Sequence, residues 1–296
     1  LESHPEYTLI IRDPGLLRRL VLRPDPLLLA EAYFRGTIDI EGDLYTALGL
    51  KAHFERFSLS WRDKLALLRD ALLLRVSDQD GLKPSRSLAS RVARRFSHRH
   101  SRQTDQAAIS FHYDVSNAFY GLWLDAERVY SCGYFKATDD TLDQAQRNKL
   151  EHICRKLRLQ RGERLLDIGC GRGELLKFAA ERHGVSGVGI TISREQAAFA
   201  TGLCEGLPIE IRVQDYRELD ERFDRIVSIG MFEHVGWKNY RTYFEVCKRC
   251  LKDDGLSVLH CIGTNGEPSR PDPWIEKYIF PNSMIPAASQ VAPALE

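Results

Sequence analysis

Apolar positions in this chain change their period along its length. Over residues 60–75, Leu65, Leu68, Leu72 and Leu73 recur at helical spacing and predict an amphipathic helix. Shorter pieces at 7–12 and 36–40 read as strands. From residue 105 the pattern alternates. Apolar runs at 162–168, 185–190, 210–213, 223–229 and 256–261 predict five strands, and 173–182, 194–203 and 240–250 predict helices between them. Alternation of this kind builds a parallel sheet with helices on its faces. The expected fold is α/β, a doubly wound sheet preceded by a smaller α+β domain, with the fourth and fifth strands flanking the first.

Three zones follow: a first domain over 1–80, a linker over 81–104 and the sheet domain over 105–296. Charge sharpens the linker. It holds Lys83, Arg86, Arg91, Arg94, Arg95, Arg99 and Arg102 and no acid, although 42 Lys and Arg against 41 Asp and Glu leave the whole chain at +1. A near-neutral chain argues against a globally basic nucleic-acid binder. The linker reads either as a solvated connector or as a segment drawn to an anionic phospholipid surface, where each basic residue contributes up to about 1 kcal/mol. RNA binding is the poorer reading, because only Phe96 is interleaved with the charges.

Composition adds exclusions. With 296 residues, 43% of them apolar and 28% charged, the chain can bury a core, which excludes a disordered chain or a disulfide mini-protein. No apolar run approaches the ~18 residues of a membrane span, and the first residues lack the pattern of a signal peptide. The seven cysteines are scattered, and Cys247 and Cys250 form a CxxC with no second ligand pair. Reduced thiols, no metal site and a cytoplasmic setting are expected.

The sharpest motif is the run LLDIGCGRG from Leu165. An apolar strand ends in a glycine-rich turn that opens a helix, where backbone can approach a ligand closely. The glycines Gly169, Gly171 and Gly173 are spaced G-x-G-x-G. The dinucleotide fingerprint needs glycine at 174, where Glu174 stands. With Asp167 two residues before the first glycine, the turn favours S-adenosylmethionine over NAD. The helix N-terminus then faces the methionine carboxylate. The second strand ends without an acid for the ribose, leaving Thr191 and Gln196 as hydrogen-bonding groups. Asp215 and Tyr216 follow the third strand, where an adenine can stack on the ring and donate its amine to the carboxylate. Further polar groups gather at other strand ends and loops: Tyr130-Ser131-Cys132, Glu233-His234 and His260-Cys261-Ile262. They are expected to converge near the glycine turn.

A family resemblance then emerges. Phe111-His112-Tyr113-Asp114, Asn117 to Tyr120 and Tyr130-Ser131-Cys132-Gly133-Tyr134-Phe135 are similar to the cyclopropane-fatty-acyl-phospholipid synthase and mycolic acid cyclopropane synthase family. DIGCGRG from Asp167, GITISREQ from Gly189, IVSIGMFEHVG from Ile226 and HCIG from His260 continue it, and the match runs from Phe111 to about Pro281. AEAYFRGTIDIEGDL from Ala30 resembles the N-terminal lipid-associated domain of the longer, phospholipid-acting members. The resemblance implies the Rossmann-like fold of class I S-adenosylmethionine-dependent methyltransferases. It also implies methyl transfer to the cis double bond of an unsaturated phospholipid acyl chain, with ring closure after a bound bicarbonate removes a proton. By the family pattern, Cys132, Glu233, His260 and the Ile262 backbone hold the bicarbonate, and Tyr113 lies near the sulfonium, where a π face stabilises positive charge. Tyr130, Ser131, Gly169, Gly171, Thr191, Ile192, Gln196 and Tyr216 match cofactor-contacting positions. The longer members suggest peripheral attachment to the inner membrane face and a homodimer through the first zone.

Two departures stand out. The family turn usually carries Trp where this chain has Arg172, and a small residue where it has Glu174. The chain also stops soon after Pro281, where family members continue, so the last two strands are expected to be missing and the fifth strand to form an open edge. Three alternatives stay open: methyl-branched products from the same site, a small-molecule methyltransferase, and a binding-only homologue.

Overall fold

In the computed structural model, residues 6–22, 25–49, 60–74, 117–269 and 271–296 are described. Tyr113 and the basic stretch 81–104 lie outside them. By its contacts the chain divides into two compact units, Leu1–Ser97 and His98–Glu296.

In the first unit, β1 (Tyr7–Ile11) pairs antiparallel with β2 (Ile38–Gly42), from Tyr7 opposite Gly42 to Ile11 opposite Ile38. Between them run α1 (Pro14–Leu22) and α2 (Pro26–Phe34). Asp25 caps α2 by accepting the Leu27 N–H, and Pro26 occupies the first turn, where its missing N–H costs nothing. A small core of Leu16, Ala32 and Ile38 closes the unit. The short α3 (Leu44–Leu48) follows β2. The leucine-patterned helix is α4 (Trp61–Leu73), capped by Ser60. It packs against α1, where the Arg18 guanidinium donates to the Leu74 carbonyl at 3.3 Å.

In the second unit, five parallel strands stand in the order β5-β4-β3-β6-β7. They are β3 (Arg164–Ile168), β4 (Ser186–Thr191), β5 (Ile209–Val213), β6 (Phe223–Ile229) and β7 (Leu251–His260). The helices are the short α5 (Asn117–Tyr120), then α6 (Leu142–Leu157), α7 (Glu174–His183), α8 (Arg194–Leu203), α9 (Tyr240–Cys250), α10 (Pro273–Tyr278) and α11 (Ala288–Leu295). Neighbouring side chains of β3 point to opposite faces. Leu165 joins Leu150, Ile153, Cys154 and Leu157 of α6 and Leu175, Leu176 and Ala179 of α7. Leu166 joins Tyr240, Tyr243, Val246 and Cys250 of α9, with Val291 and Ala294 of α11 packed on the same cluster. Both faces of the central strands β3 and β4 are therefore covered, and their interior positions are buried. Gly189 of β4 lets α7 come close: a Cβ there would stand 2.6 Å from Leu176 Cδ1.

Three features differ from the sequence expectation. Only the fourth strand, β6, lies beside β3, and the fifth, β7, pairs with β6 on its far side. β7 begins at Leu251, not 256: Leu251 pairs with Phe223, and an irregularity in the register carries the pairing on to Leu256 opposite Arg225. The turn-like Lys252-Asp253-Asp254-Gly255 is thus absorbed as a bulge. Helix α6 also has no counterpart in that expectation. Cys247 and Cys250 lie buried in α9, facing the core. Among the described residues, no helix is long and apolar enough to cross a membrane.

Candidate functional site

The glycine turn follows from the backbone it must adopt. Gly169 and Gly171 have φ of +82° and +57°, a region that L side chains rarely enter. The N–H groups of Gly169 and Cys170 both donate to the Ile190 carbonyl, at 2.9 and 3.0 Å, which folds the turn against the end of β4. A Cβ on Gly169 would meet the Met231 side chain at 2.7 Å, so the turn and the loop after β6 touch. Beyond Gly173 the first turn of α7 opens toward the carboxyl ends of the strands.

A cavity lies there. It is lined by all ten residues expected to contact a cofactor: Tyr130, Ser131, Asp167, Gly169, Gly171, Thr191, Ile192, Gln196, Asp215 and Tyr216. The Thr191 hydroxyl donates to Gln196 Oε1 at 2.8 Å, and Ser193 caps α8 through the Gln196 N–H. This small network fixes both polar groups on one wall. Asp215 does not present a bare carboxylate, because Arg217 donates Nε to one oxygen at 2.8 Å and Nη2 to the other at 2.6 Å. Beside Tyr130 stand Tyr120 and Trp123, with ring centroids 5.4 and 5.5 Å away. Arg172 is buried with its guanidinium 4.3 Å over the Tyr120 ring, so it fills aromatic space where the family places Trp.

The floor of the cavity is lined by buried ionisable groups. Lys149 of α6 is buried and donates to Ser131 Oγ at 2.6 Å. Burial pulls its ammonium down to about 8, against the opposing pull of Glu174, Asp125, Cys132 and Asp167. Burial pushes Asp167 up to about 7 and Glu174 up to about 8. One oxygen of each, Asp167 Oδ1 and Glu174 Oε1, is buried without a hydrogen-bond partner. Unpaired carboxylate oxygens facing a cavity call for a donor or cation from a ligand. Together with the apolar Ile192, Met231 and Val235, they fit a molecule carrying a cation and a flat apolar body.

The second expected group is only partly assembled. Glu233 Oε1 accepts the Ile262 N–H at 2.8 Å, while Glu233 Oε2 and His260 Nδ1 are buried without partners. Burial raises the Glu233 carboxyl and lowers the His260 imidazole, so both favour their neutral forms. Cys132 is exposed, and the structure shows no contact joining it to Glu233 or His260. The Lys149 ammonium is among the groups that lower the His260 imidazole. None of Cys132, Glu233, His260 and Ile262 lines the cofactor-sized cavity, although Gly230, Met231 and His234 beside Glu233 do.

Lys149 and Met231 were not among the sequence candidates. The signal for Lys149 was present: Ala145, Lys149, Ile153 and Leu157 recur every four residues on the buried face of α6. A lysine on that face needs partners, and the acids around it supply them.

Residues 100–296 match the sequence profile of mycolic acid cyclopropane synthetase. A probable fatty acid methyltransferase of Pseudomonas putida is 37% identical over the whole chain, which covers 70% of that protein. The cyclopropane-fatty-acyl-phospholipid synthase of Escherichia coli K12 is 51% identical over 62% of this chain, and the match covers 48% of the enzyme, about half its length. Among solved structures, the mycolic acid cyclopropane synthase CmaA1, complexed with SAH and CTAB, superposes with a TM-score of 0.59 at 34% identity, over 64% of this chain and 72% of that one. The α/β fold with its parallel sheet is the one these methyltransferases share.

Proposed function

The chain belongs to the mycolic acid cyclopropane synthetase family, and from that premise we propose that it transfers the methyl group of S-adenosylmethionine to the cis double bond of unsaturated acyl chains of membrane phospholipids and closes a cyclopropane ring. Family membership makes it an S-adenosylmethionine-dependent methyltransferase. The observation that carries the reading is the cavity at the carboxyl ends of the strands. Its lining joins the glycine turn to Thr191, Gln196 and Tyr216, and it borders the loop of Glu233.

When bound, S-adenosylmethionine supplies an electrophilic methyl group and bicarbonate a small base. The rest falls to the chain. An alkene is a weak nucleophile, so orientation and exclusion of water must supply most of the rate. Asp167 would take the ammonium of the methionine moiety, and Thr191 with Gln196 the ribose. Tyr130 and Tyr216 supply aromatic walls. For the base, Glu233 Oε2 and His260 Nδ1 are the unpartnered atoms that fit an anion, provided Glu233 carries a proton, the form its burial favours. The Ile262 N–H is already given to Glu233, so its part is to hold that carboxyl in place. The basic stretch 81–104 supports attachment to an anionic phospholipid surface at the inner membrane face, and a homodimer through the first zone remains part of the proposal.

The test is mass spectrometry of bacterial phospholipid acyl chains after expression of the chain. A gain of one CH2 unit that behaves as a cyclopropane supports the proposal. A gain that behaves as a methyl branch would instead support the second reading, which the name of the Pseudomonas relative favours. No gain from a folded protein would refute both.

A further inference from the structure

We propose that Glu174 is the residue by which this chain distinguishes the cationic cofactor from its neutral product. The inference rests on the reading of the cavity as a site for S-adenosylmethionine, and it concerns a charge that the family pattern does not carry at this position. S-adenosylmethionine and S-adenosylhomocysteine share an ammonium and a carboxylate. They differ by one methyl and one positive charge on sulfur. A site can separate them strongly only through a group that responds to that charge.

Glu174 is placed to respond. It is the first residue of α7, it lines the cavity, it is 8% exposed, and its Oε1 is buried without a partner. The charged and titratable groups around it come from each neighbouring element. They are Lys149 from α6, Arg172 and Cys170 from the turn, Asp125 from the loop after α5, and Cys204 after α8. Asp125 is satisfied by the N–H groups of Val129 and Glu127, at 2.7 and 3.1 Å. Arg172 lies over the Tyr120 ring but keeps its charge and acts on Glu174 together with Lys149. Lys149 in turn faces Glu174, Asp125 and Asp167. Three carboxyls therefore stand around two cations, one acid more than the cations balance. A sulfonium entering the cavity supplies the missing charge, and a thioether does not. In a buried site the attraction is weakly screened.

Without ligand, burial keeps a proton on Glu174 up to about pH 8. Binding of the cation favours the carboxylate and expels that proton. Loss of the methyl to the acyl chain removes the charge, the proton returns, and the product is held less tightly than the substrate.

Isothermal titration calorimetry tests this on the full chain, with each compound titrated at pH 6 and pH 8 in two buffers of different ionisation heat. In the wild type, S-adenosylmethionine should release more protons than S-adenosylhomocysteine, and its preference over the product should grow on the order of tenfold between the two pH values. Glu174→Gln, which leaves the ligands' own titration unchanged, should lose both effects. Equal proton release for the two compounds in the wild type would overturn the inference without any variant, so a misfolded variant leaves the test intact. An unchanged preference in a folded Glu174→Gln would overturn it as well. Binding of neither compound by the wild type would overturn the cofactor reading, and this inference with it.

Discussion

The Glu233 carboxylate accepts the backbone N–H of Ile262 at 2.8 Å, and this bond ties the loop after β6 to the loop after β7. The Met284 N–H donates to the Glu233 carbonyl at 2.9 Å and brings a third segment to the same residue. A buried acid held at one oxygen and open at the other is a preorganised proton donor or acceptor rather than a surface charge.

Glu233→Ala should therefore lower turnover by about 10²–10⁴ while changing the affinity for S-adenosylmethionine by less than about threefold. Methyl-transfer kinetics and calorimetry on the same preparation check it. Equal losses in turnover and affinity would place Glu233 in the cofactor site instead.

Gln196→Ala removes the acceptor of the buried Thr191 hydroxyl. A lost hydrogen bond of this kind costs about 1 kcal/mol, or roughly fivefold to tenfold in cofactor affinity. The expected signature in titration is a weaker dissociation constant with turnover preserved at saturating cofactor.

Two glycines of the turn should separate in urea unfolding. Gly169→Ala adds both a left-handed φ and a 2.7 Å clash with Met231, for a loss of about 2–4 kcal/mol. Gly171→Ala has the same backbone problem but no atom within 4 Å, so its loss should be about 1 kcal/mol. Similar losses for the two would contradict the contact between the turn and Met231.

Lys149 should make stability depend on alkaline pH. Its native value, about 8, lies below the ordinary 10.5, because burial disfavours the ammonium. Between those values the unfolded chain binds the proton and the native protein does not, so stability rises with pH across pH 8–10.5. As pH falls through 8, that contribution is lost. Lys149→Met should lack the rise, and the stability gap between wild type and variant, read from urea unfolding, should widen from pH 8 to pH 10. A constant gap would mean that Lys149 is solvated.

Much of this protein was legible from local pattern. The strands β3 and β4 announced themselves because both faces of a covered parallel sheet demand apolar or small side chains, whereas β5 (Ile209–Val213) shows the alternation of a half-exposed edge strand, with Glu210 and Val213 exposed. The glycine turn was legible because positive φ admits few residues other than glycine. Helices α8 and α9 were read with their observed limits, Arg194–Leu203 and Tyr240–Cys250, because Ser193 caps the one and an apolar stripe marks the other. Ten residues from four separate segments could be named for one cavity, most of them because the family resemblance marks those positions as cofactor contacts.

Tertiary structure decided the rest, and for one reason: burial and partnership are not local. Whether Lys252-Asp253-Asp254-Gly255 breaks a strand or bulges within it depends on β6 alongside. Whether Asp215 offers a free carboxylate depends on where Arg217 folds. Lys149 becomes an ionisable group of the cavity floor only because α6 packs across the sheet beside Asp167 and Glu174. The order of amino acids set which side chains are able to do chemistry here. Desolvation and the arrangement of charges around each of them, which only the packed structure sets, decided in what protonation state and toward which partner they stand.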